Sequence, residues 1–284
     1  MLIKTISGLS VIGAAITAFT SFMSQPWYNL IWITLLLFAA FFIGILLAYV
    51  LLLFIVTELT VDLKKPQDKP SKFWVKQLNL LAEALCFICN IRVHATGLEK
   101  IPADKRFLLV CNHRSMFDPI VKIPLLKDYN IIYASKASNF KIPVGGKIMH
   151  KTGCLVMDRD NNREALKTIK KMAEYIMNDE GSACIYPEGT RTKTGEMLPF
   201  HAGSFKVAQK TGAPVVVASL RNTDLVAKRA PFRKTDVYVD ILKVIDGDFV
   251  KSNSTQITAK IAQDTIQKKL DESANPETKE KVAT

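Results

Sequence analysis

Between Lys4 and Glu58 the chain carries no Asp, Glu, Lys or Arg. A stretch that long without charge cannot coat a water-soluble domain. Within it, residues 30–56 (LIWITLLLFAAFFIGILLAYVLLLFIV) are long enough to cross a bilayer with some tilt. Trp27, Tyr28 and Trp32 stand at one end, where interfacial aromatics are expected. The competing reading, a helix buried in a soluble core, is weak for a domain this small. Residues 5–24 (TISGLSVIGAAITAFTSFMS) are also uncharged but rich in Ser, Thr, Gly and Ala. They leave three readings open: a second span, a signal peptide, or a helix in the interface. Lys4 suits a signal peptide, yet no small-x-small cleavage site precedes Gln25. Two spans joined by residues 25–29 form a hairpin with both ends on one side, and a single span places the rest of the chain equally. Lys64, Lys65, Lys69 and Lys72 mark that side as cytoplasmic, so the expected location is the cell membrane, with the remaining domain on its cytoplasmic face.

Nearly all the charge follows Glu58. The net charge of +12 favours acidic partners, and beside an apolar leader the membrane lipid bilayer is the economical one. No nucleic-acid-binding motif accompanies the charge, so no nucleic-acid partner is expected. The five cysteines, Cys86, Cys89, Cys111, Cys154 and Cys184, are odd in number and lie in apolar runs, which argues against a disulfide framework. Cys86 and Cys89 form a single C-x-x-C with no second pair to complete a zinc site, so apolar packing in a reducing compartment is expected.

Residues 64–72 (KKPQDKPSK) read as a polar, proline-containing linker. Trp74, Leu78, Leu81, Leu85 and Ile88 then recur at helical spacing, which suits either a helix packed on the domain or one lying on the bilayer. Apolar runs at 106–111, 130–135, 153–157, 182–186, 214–219 and 236–244 predict strands, with a helix over 161–178 on the face of Leu166, Ile169, Ala173 and Ile176. Alternation of this kind predicts an α/β domain with a largely parallel sheet. The expected organisation is a membrane-anchoring segment (1–60), a linker and amphipathic helix (61–95), a catalytic-type domain (96–270) and a disordered polar tail (271–284).

Two clusters carry chemistry. Asn112-His113-Arg114-Ser115-Met116-Phe117-Asp118 leaves a predicted strand, where α/β domains gather reactive groups. Asp118 precedes Pro119 and is placed to cap a helix starting there. On one helix the two side chains would diverge by about 140°, so they meet only if the segment turns. If they meet, Asp118 fixes the imidazole tautomer and His113 is free to deprotonate an alcohol attacking a thioester. Otherwise His113 is a satisfied surface histidine. Tyr186-Pro187-Glu188-Gly189-Thr190-Arg191-Thr192 follows another strand; it is either a phosphate-holding loop, with Arg191 as a planar fork of donors, or a turn with a solvated arginine.

Together these blocks resemble the 1-acylglycerol-3-phosphate O-acyltransferases, the PlsC-like acyltransferases of phospholipid synthesis. The family's N-H-x-x-x-x-D is Asn112–Asp118, and its apolar strand ending in Asp-Arg is Gly153–Arg159. Its [FY]-P-E-G-T-R-[ST] is Tyr186–Thr192, and its proline-containing apolar strand is Ala213–Val217. The four stand in order over about residues 90–245.

The resemblance implies a mostly parallel mixed sheet flanked by helices, of the glycerolipid acyltransferase type, behind N-terminal membrane helices. It implies acyl transfer from acyl-CoA or acyl carrier protein to the sn-2 hydroxyl of lysophosphatidic acid, without metal or cofactor. By the same carry-over His113 is the general base and Asp118 orients it; Lys136 stabilises the thioester oxyanion; and Arg159, Glu188, Gly189, Thr190 and Arg191 hold the phosphate-bearing acceptor. One departure stands out: where the family often has Phe-Lys-x-Gly, this chain reads Phe200-His201-Ala202-Gly203, which bears on the acceptor head group. The other readings are the same fold acting on glycerol-3-phosphate, another lysophospholipid or an aminolipid; a non-catalytic lipid-binding protein; and a membrane-tethered nucleic-acid binder.

Overall fold

The computed structural model describes residues 1–66, 69–158, 161–192 and 194–274. The chain falls into two compact units, residues 1–66 with 142–148, and residues 67–141 with 149 onward.

The first unit holds α1 (Leu2–Phe22) and α2 (Trp27–Thr60), both long and apolar enough to cross a membrane. Ile6, Ser10, Ala14 and Ala18 are the buried residues of α1, four apart, so one narrow stripe of mostly small side chains faces its neighbour. Small residues let helix backbones approach when lipid offers no hydrophobic drive for packing. Gly13 shows the same economy: a Cβ there would lie 3.2 Å from the Phe41 ring. Residues 142–148 belong to this unit through Lys147, which donates to the Glu58 carboxylate (2.7 Å) and the Thr57 carbonyl (3.3 Å).

The second unit is a seven-stranded sheet between helices. In chain order come α3 (Lys72–Ile88), β1 (Ile91–Thr96), β2 (Leu108–Cys111), α4 (Phe117–Leu125), β3 (Ile131–Ser135), α5 (Gly145–Lys151, whose first four residues belong to the first unit), β4 (Leu155–Val156), α6 (Asn162–Met177) and β5 (Ser182–Ile185). Then follow α7 (Lys206–Thr211), β6 (Val215–Arg221), α8 (Thr223–Arg229), β7 (Thr235–Ile245), α9 (Gly247–Ser252) and α10 (Thr255–Ala274). The strand order is β1-β7-β6-β2-β5-β3-β4, and only the β6–β7 pair is antiparallel. The mostly parallel mixed sheet expected from the sequence is therefore present.

Central strands covered on both faces need no polar alternation. In β2, Leu108 and Val110 pack with α6, α7, α9 and α10, while Leu109 and Cys111 pack with α4 and α8. Cys86 and Cys89 pack against that second cluster.

Three expectations shift. The boundary at 95/96 is corrected, because β1 lies inside the supposed linker segment yet pairs with β7 from Ile91↔Thr235 to Thr96↔Asp240. Its alternation Ile-Arg-Val-His-Ala-Thr is that of an edge strand with one wet face. Residues 271–274 of the expected tail continue α10, and the remainder of the tail lies outside the described residues. Finally, α4 starts at Phe117 rather than Pro119, with Met116 at its N-cap.

Candidate active site

Strands β2, β3, β5 and β6 all end at one edge of the sheet, and the loops leaving them carry the candidate residues. The loop after β2 makes the required turn. His113 Nδ1 donates to Asp118 Oδ2 at 2.7 Å. The same oxygen accepts the backbone N–H groups of Arg114 (2.7 Å) and Ser115 (2.9 Å), while Oδ1 accepts the Thr223 hydroxyl (2.5 Å). Asp118 thus takes four donors at zero exposure, so its orientation is fixed, and with it the imidazole tautomer. His113 keeps 12% of its side chain exposed, so its second nitrogen remains the one available for chemistry.

Asn112 anchors the start of this loop. Its amide donates to the Leu220 carbonyl (2.9 Å) and accepts the Leu220 N–H (2.7 Å), extending the β2–β6 ladder by one rung. Only a side chain with one donor and one acceptor in peptide-like geometry can do this.

Glu188 ties the loop after β5 to the same place. One carboxylate oxygen accepts His113 N–H (2.5 Å), the other Leu198 N–H (2.8 Å). Burial raises its pKa, and these two amide donors pull against that rise. The carboxylate so engaged positions two backbone segments. That is a role the sequence did not reveal.

Behind His113 lies a second layer. The Tyr186 ring stacks on His113, centroids 4.1 Å apart. The ammonium of Lys122, fully buried, stands 4.4 Å from the centre of the Tyr186 ring. Lys122 also touches Cys111 Sγ (3.1 Å) and Cys184 Sγ (3.3 Å). Burial alone would lower the Lys122 pKa, but the thiols and phenols around it reverse that and raise it. Burial pushes the Cys184 thiol up, yet its hydrogen bond with Cys111 and the Lys122 charge outweigh this and bring it down to about 7.

A groove of about 1090 Å³ opens at the same edge, lined among others by Lys136, Tyr186, Glu188, Gly189, Thr190 and Lys206. Apolar side chains of α6, Leu166 and Ile169, form another wall. Gly189 has φ +70, which favours glycine, and a Cβ on it would come within 3.1 Å of the His201 ring, which would have to give way. His201 therefore fills space against Gly189. Lys206 brings a positive charge to the groove. Among the described residues neither Lys136 nor Lys206 makes an ion pair.

The structure thus brings His113 and Asp118 into contact and gathers Lys136, Glu188, Gly189 and Thr190 around one groove. Arg191 is exposed and lines neither this groove nor the second cavity. Arg159 lies outside the described residues. Arg114, paired with Asp224 at 2.9 Å, lines the second cavity, of about 880 Å³. Sequence reasoning missed Thr223, Leu198, Tyr186 as a stacking plate, and Lys122. The one available signal was a lysine four residues after Asp118 in an otherwise apolar helical turn.

A family model described as Acyltransferase matches residues 92–221, which contain His113, Asp118, Lys122, Lys136, Tyr186, Glu188 and Lys206. The chain is 30% identical over 191 residues to a 1-acyl-sn-glycerol-3-phosphate acyltransferase of Borreliella burgdorferi, covering 65% of this chain and 74% of that one. It is 37% identical over 128 residues to a chloroplastic 1-acyl-sn-glycerol-3-phosphate acyltransferase of Brassica napus, covering 45% of this chain and 36% of that one. A yeast relative of the same name, from Saccharomyces cerevisiae, is matched over 52% of its length at 30% identity. The chain thus spans only a third to a half of the latter two. The crystal structure of the 1-acyl-sn-glycerophosphate acyltransferase PlsC from Thermotoga maritima shares the fold, with a TM-score of 0.57 at 23% identity over 70% of this chain and 79% of that one. With the four blocks in order, His113 and Asp118 in contact, and a relative matched over most of its length, this chain belongs to the 1-acyl-sn-glycerol-3-phosphate acyltransferase family.

Proposed function

We propose that the protein transfers an acyl chain from a thioester, acyl-CoA or acyl carrier protein, to the sn-2 hydroxyl of lysophosphatidic acid, giving phosphatidic acid for phospholipid synthesis. The observation that carries this reading is the 2.7 Å contact between His113 Nδ1 and a carboxylate already saturated with donors. His113 then takes the acceptor's hydroxyl proton through its other nitrogen as the oxygen attacks the thioester carbonyl. The Lys136 ammonium supports the oxyanion, a contribution of about 3 kcal/mol for a well-placed donor. Collapse of the intermediate breaks the C–S bond, and the proton held on His113 passes to the departing thiolate. Lys206, Thr190 and Gly189 are the groups that the groove offers to the acceptor phosphate, with Arg159 in support; Arg191, exposed outside the groove, is not assigned to it. Glu188 contributes by holding the loops that present them.

His201 in place of lysine favours one second reading, the same acyl transfer to an acceptor with a different head group. The test is a product assay with a panel of lysolipids and both donor types, run on purified wild type and His113→Ala. A His113→Ala enzyme acylating lysophosphatidic acid at near-normal rate would sink the proposal.

We further infer that α1 and α2 anchor the enzyme in the cell membrane with its catalytic unit in the cytoplasm. The uncharged leader and the lysines that follow it support this. Labelling of single cysteines placed at residues 27 and 67 checks it; modification of residue 67 from outside the cell reverses the orientation.

A further inference from the structure

The loop between α8 and β7 carries none of the residues assigned above, yet its composition is unusual for an idle surface: Lys228-Arg229-Ala230-Pro231-Phe232-Arg233-Lys234. Phe232 is 92% exposed, above every other large apolar side chain among the described residues. Lys228, Arg229 and Arg233 are exposed, and their side chains make no ion pair among the described residues. Lys234 alone is paired, with Asp236 at 3.4 Å.

The topology puts this loop at a particular place. β7 runs antiparallel to β6, with Arg221 at the end of β6 opposite Tyr238 near the start of β7. The chain entering β7 therefore stands on the sheet edge where β2, β3, β5 and β6 end, the edge that carries His113 and the groove. Thr235 N–H donates to the Asn90 carbonyl at 3.0 Å, which brings the end of α3 to the same corner. There Phe87 and Ile88 are 67% and 46% exposed. Apolar side chains and unpaired cations thus share one rim of the catalytic unit, on its reactive side.

We propose that the Lys228–Lys234 loop, with Phe87 and Ile88 beside it, is a docking surface for an anionic lipid bilayer that turns the reactive edge of the sheet toward lipid-borne acceptor. This rests on the reading of the protein as a lysolipid acyltransferase. An aromatic tip flanked by cations is suited to enter the headgroup region while the charges meet anionic lipid. A site for the phosphates of the acyl donor would gather the same cations around a concavity, but the loop lines neither of the cavities described above. An acidic protein would meet the cations, but the bilayer supplies negative charge and an apolar layer for an exposed aromatic tip together.

The experiment uses the full chain in two formats. The first is detergent micelles with short-chain lysophosphatidic acid. The second is proteoliposomes of phosphatidylcholine with or without phosphatidylglycerol, carrying long-chain acceptor. Phe232→Ser and the triple variant Lys228→Glu, Arg229→Glu, Arg233→Glu are compared with wild type. The expected result is micelle activity within about twofold of wild type, and an apparent KM for the vesicle-borne acceptor raised about tenfold with loss of the stimulation by phosphatidylglycerol. A photoreactive benzoylphenylalanine at position 232 should crosslink to lipid in the anionic vesicles. Equal activity of wild type and variants in both formats overturns the proposal. So does a fall in both formats with a raised KM for the donor, which assigns the loop to the donor instead. If wild type acylates no lysolipid in either format, the functional reading fails, and the crosslink still decides the docking surface by itself.

Discussion

In the loop leaving β2 the groups that hold His113 in place are bound by protein partners: Asp118 has four donors, Asn112 holds both polar groups of Leu220, and His113 N–H is taken by Glu188. Across the groove, Lys136 and Lys206 present ammonium groups with no acidic partner among the described residues. The first arrangement has spent its hydrogen-bonding capacity on itself, and the second keeps it for a ligand. The difference separates two tasks. Moving a proton needs a base held in one tautomer and one orientation before substrate arrives. Holding a phosphate needs positive charge left unneutralised until the phosphate brings its own.

The most severe break of that comparison is at its saturated end. His113→Ala should lower kcat by about 10³- to 10⁴-fold with little change in acceptor KM, since it removes the base and leaves the groove cations in place. Asp118→Ala should match that loss and also unfold the protein more easily. It strands the Arg114 and Ser115 amides and the Thr223 hydroxyl in a buried site, for about 3 kcal/mol or more. Asn112→Ala separates scaffold from chemistry: losing both bonds to Leu220 should cost about 2–3 kcal/mol in urea unfolding. Activity at low temperature should survive in proportion to the folded fraction. A stable Asn112→Ala protein that has lost its activity would show that the rung to β6 does more than fix the loop.

The saturated end was legible in the sequence because its reactive pair is local. Seven residues between a strand and a helix hold His113, Asp118 and the turn that joins them, and the Pro after Asp118 restricts that turn. Their partners were not legible. Thr223 comes 105 residues after Asp118, and Leu220 108 after Asn112. Such distances are closed by strand order, and strand order depends on which faces pack, not on any local pattern. The central strands announced themselves as Val-, Leu- and Ile-rich runs. The edge strand β1 did not, since half its side chains are polar and meet β7 through His94–Asp236 and Thr96–Asp240 contacts of 2.7 Å each. Lys122 did not stand out in the sequence. Only the fold shows that it is sealed between two thiols and two tyrosines.

The open end should respond more gently and in KM. Lys206→Ala should raise the KM for lysophosphatidic acid about tenfold while kcat stays within about twofold, as expected for one unscreened charge near a phosphate. His201→Lys should move the same parameter the other way by a few-fold, because it adds a cation beside Gly189 without touching the base. If both variants change kcat and leave KM alone, the groove does not hold the acceptor phosphate, and the division of labour drawn above is lost.

The smallest effect concerns the layer behind the base, and it carries a sign. The Cys184 thiol is brought down to about 7 by Cys111 and Lys122, below the usual thiol value near 8.5. Between those two pH values the unfolded chain binds more protons than the folded one, so folding stability should rise with pH across that window and fall as pH drops through 7. The change should be on the order of 1 kcal/mol, because the pair shares its proton with neighbouring groups. Lys122→Met removes the cation and keeps the volume. It should leave the protein as stable or more stable at pH 6, since replacing a buried ion by an apolar group of similar size is often neutral or favourable. It should also flatten the rise above pH 7 and abolish the thiolate absorbance that accompanies it. A rise that persists in Lys122→Met would mean that another group titrates there. A large loss of stability at pH 6 would mean that Lys122 holds the Tyr186 plate through contacts that methionine cannot replace, and the layer would then belong with the saturated, preorganised half of the site.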